Sequence, residues 1–165
     1  MDLELSGDLG RWHARAAALF PTETVAGIGL EGRIKAVVAA VGRDDAWEFT
    51  RAGAEVDRLG VTWGGRRITE PRLIASAQGV VRPRAERIDL SSAEVLTATV
   101  SLRTAGLAWK LGAPDSTPSW RDRLRGTVQW QADISRLERW FVAPETCGRW
   151  PAAGRAWGTL ALIDG

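Results

Sequence analysis

Gly27-Ile-Gly-Leu-Glu-Gly-Arg-Ile-Lys-Ala-Val-Val38 places Ile28, Leu30, Ile34, Ala36 and Val38 on one parity and Glu31, Arg33 and Lys35 on the other. Successive side chains of an extended chain point to opposite faces, so this stretch reads as a strand with one dry and one wet face. The same period of two returns from Val95 to Leu102, where Leu96, Ala98, Val100 and Leu102 oppose Thr97, Thr99 and Ser101. Hydroxyl residues suit the solvated side of a strand.

Working outward, strands are expected at Trp47 to Val56, Leu59 to Trp63, Leu73 to Val81, Ile88 to Leu90, Leu107 to Trp109, Val128 to Ile134 and Trp157 to Ile163. In the first of these the apolar parity slips, from Trp47 and Phe49 to Ala52, Ala54 and Val56, and a bulge near Arg51 accounts for the slip. Gly42-Arg-Asp-Asp45, Gly64-Gly65, Arg82-Pro83-Arg84 and the segment from Gly112 to Pro118 carry turn chemistry. Short polar turns between successive strands imply a mainly β chain whose strands form an antiparallel meander, in a curved or groove-like sheet.

Two segments depart from that pattern. From Asp8 to Phe20 the residues Leu9, Trp12, Ala16 and Leu19 recur at helical spacing, with Asp8 as N-cap and Pro21 as stop. From Asp133 to Val142 the stripe is Ile134, Leu137, Trp140 and Phe141, closed by Pro144. Short helices are therefore expected at about 8–20 and 133–142, each beginning after an Asp and following a strand.

These helices also align with each other. Asp8-Leu-Gly-Arg-Trp12 matches Asp133-Ile-Ser-Arg-Leu137, 125 residues on, and Leu30 to Val37 matches Ala156 to Ile163 with Gly32 against Gly158. A unit that recurs stacks on its neighbour. The expectation is one repeat-type β domain over 1–165, with 1–125 as one unit and 126–165 as the start of a second, the whole being part of a longer protein.

Composition narrows the function classes. Apolar residues make up 45% and charged residues 25%, enough apolar content to fold. Twenty-two basic against 20 acidic side chains alternate along the chain without a basic run, which argues against nucleic acid. Twenty of the basic residues are Arg, yet no local Arg cluster or Gly-rich loop marks a phosphate site. No stretch of 18 apolar residues is present, so association with a membrane is expected only through segments outside this chain.

Catalytic chemistry finds little footing in these residues. His13 is the one histidine and stands beside Trp12 and Arg15 with no Ser or Cys nucleophile nearby. Cys147 is the one cysteine, in a loop whose only cation is Arg149. Asp44, Asp45, Asp115 and Asp122 read as turn residues. Gly27-Ile-Gly-Leu-Glu-Gly32 fits the loose dinucleotide pattern but lies inside a strand with no helix after it. Of nine Trp residues, Trp12, Trp140 and Trp150 suit helix-to-sheet packing, and Trp47, Trp63, Trp109, Trp130 and Trp157 sit in strands. No catalytic residue, metal site or cofactor is expected.

Leu3-Glu-Leu-Ser-Gly-Asp-Leu-Gly-Arg11, Leu30-Glu-Gly-Arg-Ile-Lys-Ala36 and Ile68-Thr-Glu-Pro-Arg-Leu73 resemble, in style of repeat, the AsmA and TamB group of bacterial envelope proteins. The resemblance implies an elongated antiparallel sheet forming an apolar trough in the periplasm, held at the inner membrane by an anchor this chain lacks, and passing phospholipid between membranes without catalysis. Its partners would be phospholipid acyl chains and adjacent repeats of the same polypeptide. An acyl-chain trough needs apolar side chains with no ionisable group, which Ile28, Leu30, Ile34, Ala36, Leu96, Ala98, Val100 and Leu102 supply. The same residues would serve equally as a core beneath the two helices. A competing reading is a β-rich structural or adhesive module that binds partner proteins through its sheet edges.

Overall fold

A computed structural model describes residues 1–19, 28–110, 124–141 and 153–162. It contains eight strands, β1 (Asp2–Asp8), β2 (Ile28–Arg43), β3 (Ala46–Trp63), β4 (Arg66–Arg82), β5 (Arg87–Leu96), β6 (Val100–Lys110), β7 (Leu124–Asp133) and β8 (Arg155–Leu162). Helix α1 (Leu9–Leu19) follows β1, and α2 (Ile134–Phe141) follows β7. Every strand pairs antiparallel with its neighbour in the chain, giving one sheet in the order β1 to β8 that does not close on itself. The expected mainly β meander with two short helices is thus the observed fold. The expected stops Phe20, Pro21, Val142 and Pro144 lie outside the described residues, as do Cys147, Asp115, Asp122, Trp150 and the segment 112–118.

Bulges keep the apolar residues together. Between Phe49 and Arg51 the strand β3 carries Thr50 as an extra residue against β2, where the parity slip calls for one. A second shift opposes Gly32 with both Arg58 and Leu59, and Arg58 has φ of 54°. The apolar parity therefore passes from Trp47 and Phe49, through Ala52, Ala54 and Val56, to Leu59, Val61 and Trp63, without these residues leaving one face. In β5, Ser91 plays the same part between Leu90 and Ser92. A one-residue slip without a bulge would turn the rest of the strand over. The separate strands expected at 47–56 and 59–63 are consequently one strand bent at Arg58.

The strand expected from Val95 to Leu102 is instead the end of β5, a turn at Thr97-Ala98-Thr99, and the start of β6. The turn lacks the usual Gly, Pro, Asn or Asp. Thr97 replaces them: its Oγ1 accepts from the N–H of Thr99 at 3.1 Å and of Val100 at 2.8 Å. Glu70 of β4, only 3% exposed, completes the clamp by accepting from the Ala98 N–H at 3.0 Å and from the Thr99 hydroxyl.

Both helices start on an aspartate. Asp8 Oδ1 accepts from the Arg11 N–H at 2.9 Å. Asp133 Oδ1 accepts from the Ser135 N–H at 3.1 Å, the Ser135 hydroxyl at 2.6 Å and the Arg136 N–H at 3.4 Å. Asp8 pairs with Arg33 and Asp133 with Arg155, and each Arg follows a glycine of positive φ, Gly32 at 133° and Gly154 at 116°. Strand pairing therefore matches Gly32 with Gly154. The alignment of Gly32 with Gly158 is corrected, because Gly158 serves another purpose and lies beneath the ring of Trp130.

Two outcomes test these local devices. Glu70→Ala strips a buried acceptor from two donors and is expected to lower unfolding free energy by about 2 kcal/mol in a denaturant titration. Asp133 has its pKa held below the ordinary carboxylate value, chiefly by the Ser135 hydroxyl, with desolvation opposing it and the Arg136 and Ser135 N–H groups and the Arg136 charge adding to the lowering. A lowered folded pKa means the cap stabilises the fold above the unfolded carboxylate pKa and is lost as pH falls through the folded value. The Ser135 amide followed by NMR should titrate with a midpoint below that of an ordinary aspartate, and Asp133→Asn should abolish the transition.

Candidate functional site: an apolar sheet face

Cα partners across antiparallel strands project to the same face, so the register gives the two surfaces of the sheet directly. One line of partners crosses all eight strands as Leu5, Ala36, Ala54, Ala75, Val95, Leu102, Trp130 and Gly158. The next line is Leu3, Val38, Ala52, Ala77, Ala93, Thr104, Val128 and Leu160. Its single polar member, Thr104, donates its hydroxyl to the Thr127 carbonyl at 2.7 Å and so leaves no free donor on the surface.

The opposite face is ionic. Glu31–Arg67, Glu55–Arg72 and Glu94–Arg103 pair at 2.5 Å, and Asp89 meets both Arg82 and Arg87, the latter at 2.6 Å. Such exposed pairs contribute little stability each, but they mark this side as the one that stays in water. The ion pairs thus gather on one surface, which also carries Ile74, Leu96 and Trp157, while the two central lines of the other surface are free of charge.

Helix α1 lies over the β1–β2 end of the apolar face, with Trp12 on Gly7, and no described element forms a second layer over the centre of that face. Tertiary contacts run between neighbouring strands, with α1 against β1 and β2 and α2 against β4 and β7. Among the described residues the buried apolar side chains are Ala40, Val56 and Ala132 alone. The chain exposes 11884 Å², whereas a compact monomer of 17.9 kDa exposes about 8,000 Å². Trp47, Trp63 and Trp109 sit near strand ends on the apolar face with 47%, 68% and 44% of their area open.

Aromatic rings make up for missing side chains on this face. Phe49 lies on its partner Gly79, Trp47 on Gly42, Trp130 on Gly158, and Trp12 of α1 on Gly7. A Cβ placed on Gly158 would stand 3.0 Å from the Trp130 Nε1, and one on Gly7 would stand 2.7 Å from that of Trp12. Each glycine leaves a seat for a flat ring, which covers the backbone beneath it.

Of the expected trough residues, Ile28, Leu30, Ile34, Ala36, Val100 and Leu102 share the apolar face. Leu96 does not: it pairs with Ser101 and Ile74 on the ionic face. Ala98 is exposed in the turn. Both were misplaced because the alternation runs unbroken through a turn made by Thr97. Sequence reading gave Ala54 its parity but did not assign Ala54, Ala75 and Ala77 to the trough, because alanine carries a weak strand signal and the face it lines is fixed by partners on neighbouring strands.

The structure does gather arginines that are scattered in sequence. Arg33, Arg58 and Arg67 line a cavity of about 660 Å³ on the ionic face. Asp8, Glu31 and Glu70 line it too, so the charges balance and the cavity has no anionic preference. Among the described residues no group of His, Cys, Asp and Glu is placed to hold a metal, and His13 Nε2 is enclosed without a hydrogen-bond partner.

No family model matches the chain, and no curated protein or solved structure matches it either. The functional reading therefore rests on the face itself. One test of its construction is Gly79→Ala. The added methyl meets the Asp89 carbonyl oxygen and stands 3.0 Å from Phe49 Cζ, so the variant is expected to lose about 1–3 kcal/mol of stability, read by chemical denaturation.

Proposed function

We propose that this chain is a non-catalytic segment of a bacterial cell-envelope protein of the AsmA and TamB type, which offers its apolar face to phospholipid acyl chains in the periplasm. The observation that carries the proposal is the line of uncharged, mostly apolar side chains across eight strands, with no described layer above its centre. Large exposed apolar surfaces on a folded chain mark sites of contact with lipid or protein. Anchoring at the inner membrane is assigned to another segment, since no described helix is long and apolar enough to cross a bilayer.

Size and chemistry support lipid as the guest. Seven strand spacings span about 34 Å, twice the roughly 15 Å reach of one acyl leaflet. Each methylene withdrawn from water onto the face gains up to about 0.8 kcal/mol. The alanine centre leaves room for a chain to lie close to the backbone, while Trp47, Trp63 and Trp109 stand towards the strand ends, where an apolar ring with a polar N–H can meet headgroups. The ionic face stays hydrated behind.

Native mass spectrometry of the purified chain, followed by solvent extraction, tests this reading. Phospholipid is expected to co-purify, and Ala75→Asp, which puts a carboxylate in the middle of the face, should abolish it while Ser76→Asp on the ionic face should not. A folded, lipid-free monomer that takes up no phospholipid from vesicles would overturn the proposal.

A further inference from the structure

We infer that the ionic face of the sheet, across β6, β7 and β8, binds an uncharged oligosaccharide, with the Trp157 indole stacked on a sugar ring and Ser101, Gln129, Gln131 and Thr159 meeting its hydroxyl groups. Trp157 points to it first. Of the tryptophans on the described strands, Trp47, Trp63, Trp109 and Trp130 share the apolar face, and Trp157 alone lies on the other. It does not cover a glycine, since its partner is Gln131. At 78% exposure it is the most open large apolar side chain described.

The register builds a grid around that ring. Ser101, Gln131 and Trp157 are successive Cα partners on β6, β7 and β8, and Arg103, Gln129 and Thr159 form the next row. All six line one cavity of about 500 Å³. With strands about 4.8 Å apart and alternate residues about 6.8 Å apart, the grid covers roughly 10 Å by 7 Å, the scale of a short oligosaccharide. β6 and β7 are each paired on both sides, so most of these groups stand on strands held in place by two neighbours. A strand added beside β8 would lie in the plane of the sheet and leave this face open.

The side-chain chemistry selects the guest. A pyranose presents a flat face of C–H groups and a rim of hydroxyls, each of which both donates and accepts. An open indole matches the first, and primary amides and hydroxyls match the second, because they too offer donors and acceptors. The side chains of Ser101, Gln129, Gln131 and Thr159 make no hydrogen bond to any described residue, which leaves that capacity for a ligand. Arg103 is the one charged residue lining the cavity, and its Nε is already 2.5 Å from the Glu94 carboxylate. The site is therefore close to neutral and favours a neutral guest over an ionic one. It lies on the surface opposite the one assigned to phospholipid, so each proposal stands or falls without the other.

The test is an NMR titration of the intact, nitrogen-labelled chain with cellotetraose, maltotetraose and chitotetraose, and with a sulfated heparin tetrasaccharide as the ionic comparison. Saturable shifts of the Trp157 indole N–H and of the Gln129 and Gln131 side-chain amides are expected with at least one neutral probe. Trp157→Ala should weaken that binding roughly tenfold or more, Gln131→Ala should weaken it less, and Trp63→Ala on the apolar face should leave it unchanged. Both Trp157 and Gln131 are exposed, and backbone amide signals that stay in place away from the site show that the variants remain folded. The inference is overturned if no neutral probe gives saturable shifts at millimolar concentration, if the Trp157→Ala chain binds as tightly as the unaltered one, or if the heparin fragment binds more tightly than every neutral probe.

Discussion

Holding the apolar side chains of eight strands on one side of a sheet demands that register follow every change of parity in the sequence. Side chains alternate with a period of two, so any interruption reverses the surface beyond it. Thr50, Arg58 and Ser91 absorb such interruptions as single extra residues, and β6 carries a further register shift between Thr104 and Ala108. Everything else about the molecule depends on that arrangement. Without the bulges the two faces would mix charge with apolar area, and neither the ion pairs nor the apolar surface would be continuous.

A sheet with one described layer must find its stability outside a conventional core. Backbone ladders bind each strand to its neighbour, and rings laid over glycines thicken the sheet where a side chain is missing. Glu70 joins β4 to the β5–β6 turn, and the Phe141 carbonyl accepts from Arg66 at 2.5 Å to hold the end of α2 near β4. These devices, the rings on the apolar face among them, hold the strands together without a described second layer over the centre of that face.

Much of this was legible in the residues. The alternation from Ile28 to Val38, the glycine turn at 64–65, the parity slip answered by Thr50, and the aspartate caps at 8 and 133 all act locally, so their signals survive in a linear reading. What was hidden depends on distant partners. The turn at Thr97 needs Glu70, and the arginine-lined cavity needs three strands to meet. Gly154 matches Gly32 only through pairing, since each stands before the Arg that faces a helix-capping aspartate. Leu96 and Ala98 were assigned to the trough for the same reason: a local pattern continued across a point where the chain reverses.

The central claim is that the apolar face, and not the ionic one, meets lipid. A photo-crosslinking residue placed at Ile34 and Leu102 on one face, and at Lys35 and Arg103 on the other, measures this in cells of a Gram-negative host. Phospholipid adducts confined to Ile34 and Leu102 are the predicted result. Equal labelling of both faces, or adducts to protein and none to lipid at any of the four positions, would contradict the claim.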